Sequence, residues 1–153
     1  MRSKPFLAII LLLIISACGT GSEDAYFNQI LDDEWSRGME ENPDYASYMG
    51  DKSANQDWPD ISDQAVRERQ KKTREVLEKI KSVNPQKLTE ENQLNYRLFL
   101  YNYERSVKSQ KFDSHLLTFG QRGGIQLHQE TAEGLSFNSS QDYKDWLARL
   151  EKL

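Results

Sequence analysis

The chain has 153 residues, a formal net charge of −4, 37% hydrophobic residues and 29% charged residues. This length allows one domain of ordinary size with a modest core, and three Trp, seven Tyr and six Phe exclude a wholly disordered chain, because disordered segments are poor in aromatic residues. A single cysteine excludes a disulfide within the chain, so stability must come from packing within the chain or against a partner.

The first eighteen residues have the pattern of a bacterial lipoprotein signal. Arg2 and Lys4 precede an uncharged apolar run over residues 6–15, as in a secretory signal, and the run is shorter than the about 20 residues of a transmembrane helix. The Ile-Ser-Ala-Cys sequence that ends at Cys18 resembles a lipobox, in which the signal is cut before an acylated cysteine. We predict a signal peptide over residues 1–17, and a lipidated Cys18 with a polar tether over residues 18–24.

The predicted anchor also indicates where the protein resides. An ordinary cleaved signal would leave Cys18 as a free thiol in an oxidising compartment, which is unusual, whereas two or three acyl chains anchor a protein stably. Gly19 follows Cys18, at the position where aspartate would indicate retention at the inner membrane of enteric bacteria. We therefore expect a cell-envelope protein, held by lipid at the outer membrane or cell surface, with the membrane as a partner.

Residues 25–153 are predicted to form an all-α domain, an irregular array of four to five helices joined by short polar connections. Apolar residues recur at helical spacing along these segments, and capping residues, proline and glycine mark their ends. In chain order the predicted helices cover residues 24–40, residues 44–49 after Asn42-Pro43 and before Gly50, residues from Ser62 to about Val83, residues from Glu90 to about Phe112, and a segment that starts after Ser139-Ser140.

Two of the predicted helices have extensive apolar surface. The helix at residues 90–112 has apolar side chains on most of its circumference, which is typical of a helix buried between layers. The last helix has an apolar face and no Gly, Asn or Pro terminator, so both a continuing chain and a C-terminal helix that frays remain open. The residues of that last face are Tyr143, Trp146, Leu147, Leu150 and Leu153.

Charge is unevenly distributed along the chain. Residues 23–60 contain eleven acidic residues and two basic ones, whereas residues 62–83 contain seven basic and four acidic residues. The basic cluster could contact nucleic acid or anionic head groups, but interleaved glutamates favour the solvated face of a helix. No base-stacking aromatic residues accompany the cluster, and we expect no nucleic-acid partner. Its members are Arg67, Arg69, Lys71, Lys72 and Arg74.

No segment carries a recognisable catalytic, cofactor-binding or metal site. His115 and His128 form no H-E-x-x-H pair, and their spacing matches no metal-binding pattern, so we interpret both as structural or surface residues. The glycine-rich stretch at residues 120–124 lacks the spacing of a phosphate-binding loop. We therefore predict no cofactor for this chain.

Several short motifs follow one another in order along the chain, at residues 27–35, 43–50, 58–62, 88–96, 119–124 and 142–150. Their order resembles the N-terminal part of a bacterial family of unknown function, the family numbered 885. Full-length members of that family look like largely helical envelope lipoproteins with zinc metallopeptidase-like features. Their expected metal residues lie around a His-Glu…Pro-Gly-His stretch in the C-terminal half, and no such stretch occurs in this chain. The resemblance therefore implies a zinc site only in a longer parent protein.

Two hypotheses follow. In the first, the chain is the N-terminal helical region of a lipid-anchored, metallopeptidase-like hydrolase, truncated at its C-terminus, inactive alone and dependent on a missing catalytic region as its partner. In the second, the chain is a complete small helical lipoprotein that acts as an adaptor or binding module. Zinc binding by the chain itself would be needed for a third possibility, independent catalysis.

Overall fold

In the part of the chain that the structure describes, apolar periodicity and turn residues give six α-helices and three short 3₁₀ turns. A computed structural model describes residues 18–117, 120, 124 and 128–153, and these residues contain no β-strand. The all-α prediction is therefore confirmed. The helices are α1 (Cys18–Glu41), α2 (Pro43–Tyr48), α3 (Asp63–Ser82), α4 (Glu90–Ser109), α5 (Gln129–Gly134) and α6 (Ser140–Leu150).

The described residues form two compact units, of which the first contains residues 18–33 and 71–108. Its core lies where α1, α3 and α4 pack together, and Phe27 and Ile80 are both 0% exposed. The Phe27 ring meets Tyr96 edge-on, with the ring centroids 5.9 Å apart, a favoured geometry for aromatic pairs. The buried core residues are Phe27, Ile30, Val76, Ile80, Val83, Leu88 and Tyr96.

Polar contacts fix the start of α1 within this unit. The Asp24 carboxylate accepts hydrogen bonds from the Thr89 backbone N–H at 3.1 Å and from Asn92 Nδ2 at 2.8 Å. The Glu23 carboxylate accepts from the Asn84 backbone N–H at 2.6 Å. These bonds to backbone donors satisfy the exposed ends of neighbouring elements.

The second unit contains residues 34–70 and 109–153, and α2, α5 and α6 lie wholly within it. A Cβ at Gly134 would lie 2.8 Å from Tyr48 Cδ2, so a larger residue at this position would require the Tyr48 ring to move. After α2 the chain turns at Gly50, whose φ of 93° is the left-handed conformation that glycine adopts readily. The predicted stop at Gly50 agrees with the end of α2 at Tyr48.

Three local expectations differ from the structure. Residues 18–24, predicted as a tether, lie in the first turns of α1, where Glu23 and Asp24 bind backbone donors of the same unit. Asn42 does not cap α2 through its side chain, because its amide donates instead to the Gly38 carbonyl of α1 at 2.9 Å. No helix is predicted between Phe112 and Ser139, where the structure has the 3₁₀ turn Ser114–Leu116 and helix α5.

Candidate functional site

The predicted lipidation site, Cys18, is the first residue of α1. Residues 1–17, predicted as the signal peptide, lie outside the described residues. No helix in the described part of the chain has the length and apolar character needed to cross a membrane. Lipidation of Cys18 therefore stays a prediction from the sequence.

The two histidines have separate surroundings. His115 Nε2 lies 3.9 Å from Asp63 Oδ1 at the start of α3, whereas the His128 ring packs on Trp58 with centroids 4.5 Å apart. Within residues 18–117, 120, 124 and 128–153, no three His, Cys, Asp or Glu side chains are grouped so that they could hold a metal ion. Each histidine thus has a different neighbour, Asp63 for His115 and Trp58 for His128.

The basic cluster lies on α3, where acidic residues are interleaved with it. Arg67 pairs with Asp63 at 3.1 Å and Lys71 pairs with Glu75 at 3.7 Å, both one helical turn apart. Such exposed pairs stabilise a helix only slightly. The pairing supports the interpretation of this cluster as the solvated face of a helix.

A buried carboxylate organises the start of α6. Asp142 Oδ2 accepts hydrogen bonds from the backbone N–H groups of Asn138 at 2.9 Å and Ser139 at 2.8 Å, and Ser139 Oγ accepts from the Asp142 N–H in return. This reciprocal arrangement is a capping box. Lys52 Nζ lies 2.5 Å from Asp142 Oδ1. The hydrogen bond from Lys52, with those from Ser139 and Asn138, lowers the pKa of Asp142 from 3.8 to about 2.

A small cleft lies beside Asp142. Its volume is about 60 Å³, and its walls include Lys52, Gly134, Phe137 and Trp146. Ligand pockets for small organic molecules usually measure about 300–1,000 Å³, so this cleft has room for only a few water molecules. The cleft therefore supports no substrate site.

Arg149, on the opposite end of α6, is a fully buried cation at 0% exposure. Its Nη2 donates to Ser47 Oγ at 2.7 Å and to the Ala54 carbonyl at 3.0 Å, and its guanidinium lies 5.5 Å from the centre of the Trp58 ring. Burial lowers the pKa of Arg149, while the charge of Asp44 opposes that change. The Nε and Nη1 groups of Arg149 are buried without hydrogen-bond partners. Arg149 thus ties α6 to α2 and to the loop that follows α2.

The apolar face predicted for the last helix is largely exposed. Tyr143, Leu147 and Leu150, spaced by four and three residues, are 58%, 60% and 38% exposed. The ring of Phe137 stacks on Tyr143 with centroids 4.9 Å apart. The buried positions of α6 are Asp142 and Arg149, and Trp146 of the predicted apolar face lies on the same side, half-buried against the Trp58 ring with centroids 6.1 Å apart.

Helix α4 also presents an uncovered apolar stripe. Its Tyr96 is buried in the core, but Leu94, Leu98 and Tyr101 are 51%, 55% and 57% exposed. These three residues recur at the spacing of one helix face. The expected burial of this helix on both sides is therefore not observed in the described residues, since only one side is covered.

Sequence reasoning missed the buried roles of Asp142 and Arg149. Asp142 had a detectable signal, because Ser139 followed three residues later by an acidic residue resembles a capping box. Arg149 had no comparable signal, since a charged residue in a helix normally faces solvent. Its partners are backbone carbonyls and a serine, which no sequence spacing identifies.

These observations define an all-α protein with two open apolar helix faces and, among its described residues, no cluster of metal-ligating side chains. Residues 43–153 match the family described as "bacterial protein of unknown function (DUF885)", and the chain belongs to that family. The resemblance stated from the sequence is thereby confirmed. No curated protein and no solved structure matches the chain.

Proposed function

We propose that this chain is the helical N-terminal region of a lipid-anchored cell-envelope hydrolase of the metallopeptidase type, and that it is not catalytic by itself. Acyl groups on Cys18 would hold it at the outer membrane or cell surface. The region would cover part of the cleft of a catalytic portion that follows it in a longer protein. The match over residues 43–153 supports the family membership on which this proposal rests. The metallopeptidase character comes from the sequence resemblance.

The single observation that carries the docking role is the apolar stripe on α4. Leu94, Leu98 and Tyr101 are each more than half exposed, although burying one such side chain fully is worth about 1.5–3 kcal/mol. Large contiguous patches of exposed apolar side chains mark interaction sites. The stripe on α6, formed by Tyr143 and Leu147, has the same character.

Zinc chemistry enters this proposal only through the longer parent protein. When bound there, zinc would activate a water molecule for hydrolysis. The His115 and His128 side chains have separate neighbours, Asp63 and Trp58, and so do not fit a shared metal site. We therefore assign no zinc ligand to this chain.

Zinc titration of the purified chain, residues 19–153, by calorimetry tests the non-catalytic assignment. We expect no stoichiometric zinc binding and no hydrolysis of casein or of a mixed peptide library with zinc present. Tight binding of one zinc ion per chain, or peptide hydrolysis that a chelator abolishes, would overturn the assignment.

A second measurement tests the docking face. We expect the chain to bind an apolar fluorescent dye, and the Leu94→Glu/Leu98→Glu variant to bind clearly less of it with an unchanged helical circular dichroism spectrum. Lys79→Glu lowers the net charge by the same two units at an exposed α3 position and serves as the matched control. Equal dye binding by all three proteins would show that the α4 stripe is not the exposed apolar surface that the proposal requires.

A further inference from the structure

A groove of about 400 Å³ lies along the last turns of α1 and the first turn of α2, all within the second unit. Its volume falls in the range of sites that bind small groups. Two aromatic rings, a thioether and two carboxylates meet there. The lining residues are Glu34, Trp35, Gly38, Met39, Asn42, Asp44 and Tyr45.

The aromatic side chains of this groove are not explained by packing within the chain. Trp35 is 55% exposed and Tyr45 is 49% exposed. Neither ring stacks on another aromatic ring among the described residues. Trp, Tyr and Met are enriched where one protein binds another, because each offers a large contact area to a partner.

Gly38 leaves the floor of the groove open. It lies inside α1, where glycine costs about 1 kcal/mol of stability relative to alanine. A Cβ at Gly38 would meet no atom within 4 Å, so no contact inside the chain requires glycine here. Glycine would be needed at this position if a side chain of a partner approached the α1 backbone closely.

The charge of the groove is negative. Glu34 is already paired with Arg37, whose Nε donates to Glu34 Oε1 at 2.9 Å. Asp44, by contrast, makes no hydrogen bond or ion pair among the described residues, although the buried Arg149 lies close enough for its charge to be felt. A carboxylate beside Trp and Tyr rings attracts an organic cation through both the ion pair and the ring faces.

We propose that this groove binds a lysine or arginine side chain presented by a segment of a partner protein. The groove is open to solvent, and a cation over a half-exposed ring gains only a few-fold in affinity. A free small cation would therefore bind too weakly, whereas a protein segment adds contacts with Met39, Tyr45 and the surrounding acidic surface. The basic side chain supplies the specificity, and the neighbouring contacts supply most of the affinity.

Calorimetry on the full chain in detergent micelles tests this proposal at low salt. The probe is an acetylated, amidated decapeptide of alternating Lys and Ala, and the control peptide has Glu in place of Lys. We expect saturable binding of the Lys peptide and none of the Glu peptide. Tetramethylammonium chloride, at the same concentration of cationic groups, should bind at least about tenfold more weakly.

Matched variants locate the binding to the groove. Gly38→Leu fills the open floor and favours the helix, and it should weaken binding of the Lys peptide at least about tenfold. Ser36→Leu adds the same side chain at an exposed α1 position outside the groove and should leave affinity unchanged. Asp44→Asn should weaken binding about threefold, whereas Glu40→Gln, an exposed carboxylate outside the lining, should not.

Three outcomes would overturn the proposal. If the Lys peptide does not bind, the groove is not a site for a basic side chain. Equal loss with Gly38→Leu and Ser36→Leu, or with Asp44→Asn and Glu40→Gln, would show general attraction to an acidic surface. Tetramethylammonium binding as tight as that of the Lys peptide would show that the groove takes a free small cation and not a protein segment.

Discussion

Arg149 Nη2 lies 2.7 Å from Ser47 Oγ, across a sequence separation of 102 residues. The Ser47 hydroxyl in turn donates to the Pro43 carbonyl 2.8 Å away. The same guanidinium bonds the Ala54 carbonyl at 3.0 Å, and the Trp58 indole donates to the Arg149 carbonyl at 2.8 Å. A single buried side chain therefore joins α2, the following loop and α6.

Truncation of Arg149 should destabilise the chain strongly. We expect Arg149→Ala to lower the free energy of unfolding by about 3 kcal/mol, because it leaves a cavity and removes the donor of the Ala54 carbonyl. Arg149→Met keeps the volume and removes a buried charge, so it should cost less than about 1.5 kcal/mol. Urea unfolding of residues 19–153 measures both values. Equal destabilisation by the two substitutions would show that the charge itself, and not the filled volume, stabilises the unit.

The stability contributed by Asp142 should depend on pH. Because its pKa is lowered from 3.8 to about 2 in the folded chain, the folded state favours the charged carboxylate. This stabilisation is complete well above pH 4, decreases as pH falls below 4, and is lost once pH passes below about 2. The urea midpoints of the wild type and Asp142→Asn should therefore differ at pH 6 and converge near pH 2.

Lys52 provides the control for that pH dependence, since its hydrogen bond to Asp142 is the largest cause of the lowered Asp142 pKa. Lys52→Met should lower the urea midpoint at pH 6 by part of the amount that Asp142→Asn lowers it. In the double variant, Lys52→Met should lower the midpoint little further. A wild-type advantage that stays constant from pH 6 to pH 2 would show that ionisation of Asp142 is not its origin.

Truncation of two similar apolar side chains should affect stability differently, because one is buried and the other is exposed. Ile80 is 0% exposed in the core and Leu98 is 55% exposed on α4. We expect Ile80→Ala to lower the free energy of unfolding by about 2–5 kcal/mol, and Leu98→Ala to change it by no more than about 0.5 kcal/mol. A large loss of stability from Leu98→Ala would show that the α4 stripe is packed in solution and is not free to dock.

Cys18 should carry the membrane anchor. In the native host, the wild-type chain should incorporate a clickable palmitate analogue and fractionate with membranes, because two or three acyl chains bind a bilayer stably. Cys18→Ser should lose the label and accumulate with its signal uncleaved. Cleavage of Cys18→Ser at the same position as the wild type, without any lipid label on either protein, would contradict the lipoprotein assignment.

Much of the helical framework follows from local sequence rules. Pro43 and Gly50 bound α2 because proline suits a helix start and Gly50 adopts a positive φ. Ser139 marks the start of α6 through its capping box. The buried α3 residues Val76 and Ile80 also recur at helical spacing in the sequence.

What the sequence did not predict depends on contacts between distant segments. The apolar positions of α6 predicted a buried face, but Tyr143 and Leu147 are exposed, and the interior side of the helix carries Arg149, whose guanidinium bonds the Ala54 carbonyl. Helix α5 was missed because its sequence contains few apolar residues, while its position depends on the close approach of Gly134 to Tyr48. The groove lined by Trp35 and Tyr45 forms where α1 meets α2. The apolar periodicity of a single helix does not predict such a junction.

The intact mass of the native product, extracted with detergent from membranes of its own host, tests the central claim most directly. If this helical region belongs to a longer metallopeptidase-like protein, the mass will be much larger than that of residues 18–153 with acyl groups on Cys18. A mass equal to that acylated short chain would contradict the claim and would show that the small helical lipoprotein is itself the functional product.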